Sequence, residues 1–154
     1  MTKIALCKAD CECLHFNISH SNDIALLAFG KSYPIGIDVE FRRKNIEITE
    51  ITKKFFTANE ANAINGLSPE LQVEHFFNYW TCKEAFIKAI GEGLSYSLSK
   101  FEVDSKNFKI HINDPKYNTI NWSLVKLDPF PDYSAAIAVA GEIEKLSLLN
   151  FSTM

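Results

Sequence analysis

The segment WTCKEAFIKAIG, residues 80–91, closes the longest helix that we predict from this sequence. Ser68 and Pro69 open that helix, because serine suits the N-terminal cap and proline suits the first helical turn. Gly91 ends it, because glycine readily takes the left-handed conformation of a C-terminal cap. We therefore expect a helix from residue 69 to about residue 90. Its buried apolar stripe is predicted to consist of Phe76, Phe77, Trp80, Phe86 and Ile87.

Glu84 lies in the middle of this helix, among apolar and aromatic residues. A buried carboxylate is costly unless it is paired or bound to a metal. Lys88 is one turn further on and shares the face of Glu84, whereas Lys83 points elsewhere. Near a metal, this pair suits phosphoryl transfer, because the ammonium neutralises phosphate charge while the carboxylate binds metal or takes a proton. An ordinary ion pair on a helix surface is the alternative interpretation.

A second pair of carboxylates lies in the run YPIGIDVEF, residues 33–41, which alternates as a strand does. Asp38 and Glu40 are two residues apart, so both side chains leave the same face of that strand. Together with Glu84 they form a set of oxygen ligands that suits Mg²⁺. Taken alone, alternating acids on a strand are more often a solvated face.

The remaining elements follow from the same patterns. Further strands are expected at residues 14–18, 24–29, 100–104, 107–112, 120–127 and 133–140. The polar run Ser19–Asp23 is interpreted as the connection between the first two of them. Shorter helices are expected at residues 48–55 and from Thr57, where Glu60 completes a capping box, to about Gly66. The predicted class is α+β, one antiparallel sheet with helices packed on one face.

Length and composition indicate one globular domain spanning residues 1–154. Hydrophobic residues make up 47% of the chain, enough for a core. The net charge of −3 does not favour a nucleic-acid partner, which would call for a clustered basic surface. No apolar run approaches the roughly 18 residues of a membrane span. We therefore expect a cytoplasmic protein with no membrane partner.

Three cysteines, Cys7, Cys11 and Cys13, lie close together near the N-terminus, and His15 follows them. A metal knuckle is one interpretation of this cluster. Its spacing lacks the paired C-x2-C of structural zinc sites, so we interpret these residues as reduced cytosolic thiols.

Four motifs occur in one order along the chain: FNISHS at 16–21, IGIDVE at 35–40, FF-x3-E at 55–60 and W-x2-KEAFIKAIGEGL at 80–94. Together they resemble the surfactin-synthetase-activating type of 4′-phosphopantetheinyl transferase. The superfamily's core motifs look like (I/V)-G-(I/V)-D and (F/W)-(S/T/C)-x-K-E-(A/S)-x2-K. Both are complete here, as IGID at 35–38 and WTCKEAFIK at 80–88.

The resemblance implies a reaction and its partners. Members of the family move the phosphopantetheine arm of coenzyme A onto a serine of an apo acyl or peptidyl carrier protein and release 3′,5′-ADP. Ser19 and His20 match a family segment that contacts coenzyme A, with the histidine near the 3′-phosphate. The expected fold is that of the family, roughly one of its pseudo-repeats with extra strands.

The resemblance also implies roles at the diphosphate. Asp38, Glu40 and Glu84 match the carboxylates that hold Mg²⁺. Glu84 further matches the residue proposed as the general base for the carrier serine. Lys88 matches the lysine near the transferring phosphate, and Lys83 is expected to be structural or peripheral.

Members of this type have two similar halves, and most of the first half has no counterpart here. A half-domain would leave an apolar face open, so we expect self-association into a homo-oligomer, with a dimer favoured over a trimer. A separate chain that completes the missing half is another possibility. The alternative functions are a truncated or vestigial, non-catalytic module that binds carrier proteins and a Mg²⁺-dependent phosphohydrolase.

Overall fold

The computed structural model describes residues 4–6, 14–104 and 106–151, and within them it confirms the α+β class. The strands are β1 (Ile4–Leu6), β2 (Leu14–Ser21), β3 (Ile24–Lys31), β4 (Ile35–Phe41), β5 (Phe101–Asp104), β6 (Lys109–Ile112), β7 (Ser123–Leu127) and β8 (Tyr133–Val139). The helices are α1 (Ile48–Phe55), α2 (Ala58–Asn65) and α3 (Pro69–Ile90), with short 3₁₀ turns at Gly93–Ser95 and Leu98–Lys100.

The three helices agree closely with the expected positions. The capping box predicted at the start of α2 is present, with Thr57 and Glu60 exchanging side-chain and backbone hydrogen bonds. Gly91 has a φ of 74° and closes α3 in the left-handed conformation. Phe76, Phe77, Phe86 and Ile87 of the predicted stripe are buried, whereas Trp80 is only half-buried. Local signals were therefore sufficient to position these helices.

The strands form three hydrogen-bonded sheets among the described residues, rather than the single sheet that was expected. Their orders are β1-β2-β3, β4-β8-β7 and β5-β6, and the described pairings are antiparallel. Helix α3 packs on one face of the β4-β8-β7 sheet, where Ala136 and Ala138 join its apolar cluster. On the other face, Ile137 packs with Ala28 of β3 in a second cluster. The central sheet is therefore covered on both faces.

Strand β2 lies beside the outer edge of β4 and contacts it through side chains. The backbone N–H groups of Ile37, Val39 and Phe41 donate to the side-chain oxygens of Asn17, Ser19 and Ser21 at 3.0, 3.2 and 3.0 Å, respectively. Both strands run in the same direction, since the partners increase in number together. These side chains satisfy edge N–H groups that would otherwise be unpaired, and they keep the two sheets distinct.

The polar run that was interpreted as a connection belongs mostly to a strand, so that prediction was wrong. Ser19, His20 and Ser21 are the last residues of β2, and Ser21 pairs directly with Ile24. The turn consists of two residues that begin at Asn22, whose φ of 51° is left-handed. Polar side chains are typical of a turn, but those of Ser19 and Ser21 accept hydrogen bonds from the backbone of the neighbouring strand β4. They are therefore compatible with a strand at this position.

Cys7, Cys11 and Cys13 lie outside the described residues, so their interpretation stays a prediction. The fourth cysteine, Cys82, is a free thiol buried in α3. Within the described parts of the chain, no helix is both long and apolar enough to cross a membrane.

Candidate active site

A cleft of about 300 Å³ opens between the end of β2, strand β4 and helix α3. Its lining contains all six residues that the sequence singled out as site residues. The lining residues are Ile18, Ser19, His20, Asp38, Glu40, Trp80, Glu84 and Lys88. Residues separated by up to 70 positions therefore meet in one place.

Gly36 explains how a strand and a helix bring their carboxylates together. A Cβ atom at this position would lie 2.0 Å from the carbonyl oxygen of Ala85 and 2.4 Å from the backbone nitrogen of Ala89. The absence of a side chain lets α3 rest directly on β4. Asp38 lies two residues after this contact and Glu84 one residue before Ala85, so both reach the same cleft.

Asp38 is the most buried of the three acids, with 4% of its surface exposed. Its Oδ1 accepts hydrogen bonds from Ser19 Oγ at 3.0 Å and from Lys88 Nζ at 2.7 Å. Burial raises the pKa of this carboxyl to about 6, although Lys88 acts to lower it and Glu40 adds to the rise. The raised pKa means that the carboxylate is only partly compensated by its present partners.

The ammonium group of Lys88 makes three hydrogen bonds to neighbouring residues. Its Nζ donates to Asp38 Oδ1 at 2.7 Å, to Ser19 Oγ at 2.8 Å and to the carbonyl oxygen of Ile37 at 3.1 Å. Three hydrogen bonds match the three donors of an ammonium. Lys88 therefore ties α3 to β2 and β4, and an incoming phosphate would have to replace one of these partners.

Glu84 faces the same cleft without such partners. It has no hydrogen bond or ion pair with any described residue, and burial raises its pKa to about 7. Asp38 and Glu40 raise that pKa further, while Lys88 lowers it. A carboxyl group with a pKa near neutrality, free of hydrogen bonds, is suited to exchange a proton in a reaction at physiological pH.

The arrangement of the three acids bears on whether they can hold a metal ion. Within the described ranges, no three His, Cys, Asp or Glu side chains form a ready-made metal cluster. Two of the carboxylates are held by protein donors instead, Asp38 by Lys88 and Glu40 by Ser21. However, Asp38 Oδ2 is buried and has no hydrogen-bond partner, Glu40 contributes to the raised pKa of Asp38, and both acids contribute to the raised pKa of Glu84. An orphaned carboxylate oxygen beside two further carboxylates fits a hard cation such as Mg²⁺.

Ser19 and His20, the two residues expected to contact coenzyme A, differ in how exposed they are. Ser19 is buried and bonds to Val39 N, Asp38 and Lys88, so its hydroxyl is engaged within the protein. His20 is exposed and lines the cleft. The coenzyme A contacts expected of both residues stay predictions.

Sequence reasoning missed Ser21 and the cleft-lining position of Trp80. Ser21 Oγ donates to Glu40 Oε2 at 3.0 Å and thereby contacts one of the predicted metal ligands. A signal was present, since polar residues recur at every second position from Asn17 to Ser21 with the same period as the acids of β4. Nothing in the sequence showed that these two strands lie side by side.

Lys83, the other lysine of the WTCKEAFIK motif, lies far from this chemistry. Its side chain is fully buried and pairs with Glu60 Oε1 at 2.9 Å. It also donates to the carbonyl oxygens of Leu98 at 2.8 Å and Phe101 at 2.7 Å. This lysine therefore joins α2 and α3 to the start of β5, in line with its expected structural role.

Comparison with known proteins identifies the family. Residues 34–138 match the model of the 4′-phosphopantetheinyl transferase superfamily. The range contains both core motifs, together with Asp38, Glu40, Glu84 and Lys88. The chain therefore belongs to this superfamily.

Two curated relatives carry the same name. The chain is 38% identical over 130 residues to 4′-phosphopantetheinyl transferase HetI of Nostoc sp. strain PCC 7120, which covers 83% of this chain and 52% of HetI. It is 42% identical over 97 residues to 4′-phosphopantetheinyl transferase Sfp of Bacillus subtilis strain 168, covering 63% of this chain and 42% of Sfp. The chain thus spans about half the length of these relatives.

A solved structure supports the fold. It is a holo-(acyl-carrier-protein) synthase from Bacillus anthracis, crystallised with coenzyme A (3′,5′-ADP), and it superposes with a TM-score of 0.56 at 23% identity. The match covers 69% of this chain and 93% of that one. At this identity the likeness concerns the fold alone.

Proposed function

We propose that this chain transfers the 4′-phosphopantetheine arm of coenzyme A to a serine of an apo acyl or peptidyl carrier protein and releases 3′,5′-ADP. One observation carries the proposal. Asp38 and Glu84, which belong to the two superfamily motifs, line one cleft together with Glu40 and Lys88. Family membership and two relatives named as transferases support the same activity. We assign the activity to a single domain, residues 1–154.

Asp38, Glu40 and Glu84 are the residues that would hold Mg²⁺. When bound, the ion would draw electron density from the diphosphate oxygens and offset the negative charge that develops during transfer. The orphaned Oδ2 of Asp38 supports this assignment, because a buried carboxylate oxygen without a partner is costly unless a cation meets it.

Glu84 is proposed as the base. The carrier serine attacks the phosphorus on the pantetheine side of the diphosphate, and the bond from that phosphorus to the bridging oxygen breaks. Glu84 receives the serine proton, and 3′,5′-ADP leaves with the bridging oxygen. Glu84 lines the cleft and makes no hydrogen bond to any described residue, so its carboxylate is available to accept this proton.

Lys88 and His20 are proposed to bind the charged parts of coenzyme A. Lys88 would exchange one of its present acceptors for an oxygen of the transferring phosphate. His20 is exposed and lines the cleft, which supports its proposed contact with the 3′-phosphate.

Intact mass spectrometry of an apo carrier protein tests the proposal. Purified protein is incubated with Mg²⁺, coenzyme A and the carrier, and the carrier should gain the mass of one phosphopantetheine. Glu84→Gln should lower the rate by about 10²- to 10⁴-fold, the usual contribution of a general base. Glu74→Gln is the matched control, because Glu74 lies on the same helix but is exposed and outside the cleft.

Other outcomes separate the alternative functions. Carrier binding without mass gain, under every metal and carrier condition tried, would identify a non-catalytic carrier-binding module. Breakdown of coenzyme A with no carrier present would identify a phosphohydrolase.

We also propose that the chain acts as a homo-oligomer, with a dimer favoured. Strands β2 and β3 present large apolar side chains to solvent, with Ile18, Leu27 and Phe29 exposed at 51%, 59% and 62%. The register pairs Ile18 with Leu27 and Phe16 with Phe29, so these side chains form one patch beside the cleft. An exposed patch of this kind marks an interaction surface, and we assign it to a second copy of the chain.

Light scattering tests this assembly on the purified protein. A mass of two copies would support the dimer, and a mass of three copies would favour the trimer. A monomer at all concentrations would contradict self-association.

A further inference from the structure

Ser21 contacts two parts of β4 with one hydroxyl. Its Oγ accepts a hydrogen bond from the backbone N–H of Phe41 at 3.0 Å. The same Oγ donates to Glu40 Oε2 at 3.0 Å. A serine hydroxyl has one donor and two acceptor lone pairs, so both bonds can exist together. The carboxylate of Glu40 is thereby held in a fixed relation to the strand that carries it.

The same arrangement occurs two residues earlier. Ser19 Oγ accepts from Val39 N at 3.2 Å and donates to Asp38 Oδ1 at 3.0 Å. In both cases a serine of β2 bonds to the acid 19 positions later and to the N–H group 20 positions later. The repeat follows from two strands that lie side by side with the same period of two.

Each serine leaves one oxygen of its carboxylate available. Ser21 engages Oε2 of Glu40, and Oε1 has no hydrogen bond from any described residue. Ser19 engages Oδ1 of Asp38, and Oδ2 is buried without a partner. A hydrogen bond to one oxygen limits rotation of the carboxylate and so determines where the other oxygen can point.

We infer that Ser21 is a positioning residue: its hydroxyl orients the carboxylate of Glu40 for binding a divalent cation in the cleft. The inference rests on the proposed function, which assigns Glu40 to the metal. Ser21 itself touches neither metal nor substrate in this role. Removal of its hydroxyl should therefore weaken cation binding before any chemistry takes place.

Mn²⁺ binding to the metal-free protein, followed by electron paramagnetic resonance, tests the inference. Ser21→Ala should bind Mn²⁺ about 10- to 100-fold more weakly, the usual effect of losing an outer-shell partner. Ser21→Thr keeps the hydroxyl on a strand that tolerates β-branching, so it should bind as the wild type does. Ser21→Cys keeps the size but offers a weaker donor, and it should give an intermediate affinity.

Asn17→Ala is the matched control. Asn17 accepts a hydrogen bond from Ile37 N at 3.0 Å, which is the same kind of strand-to-strand bond. It contacts no carboxylate among the described residues. Asn17→Ala and Ser21→Ala should therefore lower the melting temperature to a similar extent, whereas only Ser21→Ala should change the Mn²⁺ affinity.

Two results would overturn the inference, and they can be told apart. If the wild type binds Mn²⁺ and Ser21→Ala binds it equally well, Ser21 does not position Glu40 and the proposed metal site stands. If the wild type binds no Mn²⁺, the proposed metal site fails and the role of Ser21 fails with it. Should Ser21→Ala not fold, equal affinities of Ser21→Cys and the wild type would likewise overturn the inference.

Discussion

Lys83 and Lys88 lie five residues apart on α3, and their side chains have different surroundings. Lys83 is fully buried against Glu60 and backbone carbonyl groups, away from the cleft. Lys88 reaches Asp38 and Ser19 at the cleft. Five residues correspond to a rotation of about 140° around a helix, so the two side chains leave α3 on different sides. Their shared motif therefore combines a structural lysine with a site lysine.

Replacement of Lys83 should lower the stability of the fold, and it should affect activity only through that loss. Lys83→Met removes the cation that pairs with the buried carboxylate of Glu60 and leaves that charge only hydrogen bonds from the backbone N–H groups of Thr57 and Val103, so we expect the free energy of unfolding to fall by about 3–5 kcal/mol. Urea denaturation measures this change. Lys53→Met is the control, because Lys53 forms an exposed pair with Glu50 and its loss should cost less than about 1 kcal/mol. Loss of carrier modification at unchanged stability would instead assign Lys83 to catalysis.

The acids of the cleft predict a pH dependence of the metal-free protein. Burial raises the pKa of Asp38 to about 6 and that of Glu84 to about 7, above their ordinary values of 3.8 and 4.5. The folded state then holds these protons more tightly than the unfolded state does. Their stabilising contribution is complete below about pH 4 and is lost as the pH rises through about 6 to 7.

Melting temperatures in EDTA, measured between about pH 4 and about pH 8, test this dependence. The wild type should lose stability across that range. The double variant Asp38→Asn and Glu84→Gln should show a flatter profile, because neither side chain can then titrate. Identical profiles for the two proteins would contradict the prediction.

At the scale of the element, strand β4 has a different neighbour along each side. One edge pairs with β8 through a backbone ladder. The other edge donates its N–H groups to side chains of β2. The face that carries Asp38 and Glu40 packs against α3 at Gly36. Helix α3 and strand β2 therefore both contact the part of β4 that carries the acids.

Gly36→Ala should disturb the contact between β4 and α3. The added Cβ would collide with the backbone of Ala85 and Ala89, which cannot move without shifting the helix. We expect a loss of about 3 kcal/mol or more, the upper range for an overpacked core, together with weaker cation binding. Urea denaturation and the Mn²⁺ assay measure the two effects.

Gly30→Ala in β3 is the control for this substitution. Its Cβ would meet Ile35 Cδ1 at 3.4 Å, an ordinary contact. Alanine is favoured over glycine in a strand by roughly 0.5–1 kcal/mol, so this variant should be neutral or slightly stabilised. Equal losses for both variants would show that the contact at Gly36 is not special.

At the scale of the whole molecule, strands β2 and β3 carry an exposed apolar patch around Ile18, Leu27 and Phe29. The opposite face of β3 buries Ala28 in the second core cluster. Leu27 and Phe29 alternate with it and point outward. A strand with apolar side chains on both faces is typical of one that is covered on both sides, which supports the proposed self-association.

The double variant Leu27→Ser and Phe29→Ser should abolish self-association. Loss of two large apolar side chains removes most of the attraction between copies, each contributing about 1.5–3 kcal/mol when fully buried. Light scattering should report a monomer for this variant and an oligomer for the wild type. Leu148→Ser is the control, because Leu148 is exposed far along the chain from the patch and should leave the assembly unchanged. An unchanged mass of the double variant would place the interface elsewhere.

Sequence patterns by themselves determined the elements and the identity of the acids. Pro69 in the first turn of α3, the C-terminal cap at Gly91, the capping box at Thr57 and the alternation around Asp38 depend on residues within a few positions of one another. Interactions between residues that are close in sequence determine these features, so the sequence alone is enough to predict them. The motif that contains Glu84 also contributed to the resemblance from which the family was predicted.

Only the tertiary structure decided how those elements meet. It put Ser21 against Glu40, Lys83 against Glu60 and Lys88 against Asp38, contacts that span 19, 23 and 50 positions of the chain. It also divided the strands into separate sheets and exposed the patch around Phe29. Such contacts depend on which strand edges and helix faces come together, and no local pattern encodes that choice. The acids could be predicted from the sequence, whereas their contacts with hydroxyl and ammonium groups are known only from the tertiary structure.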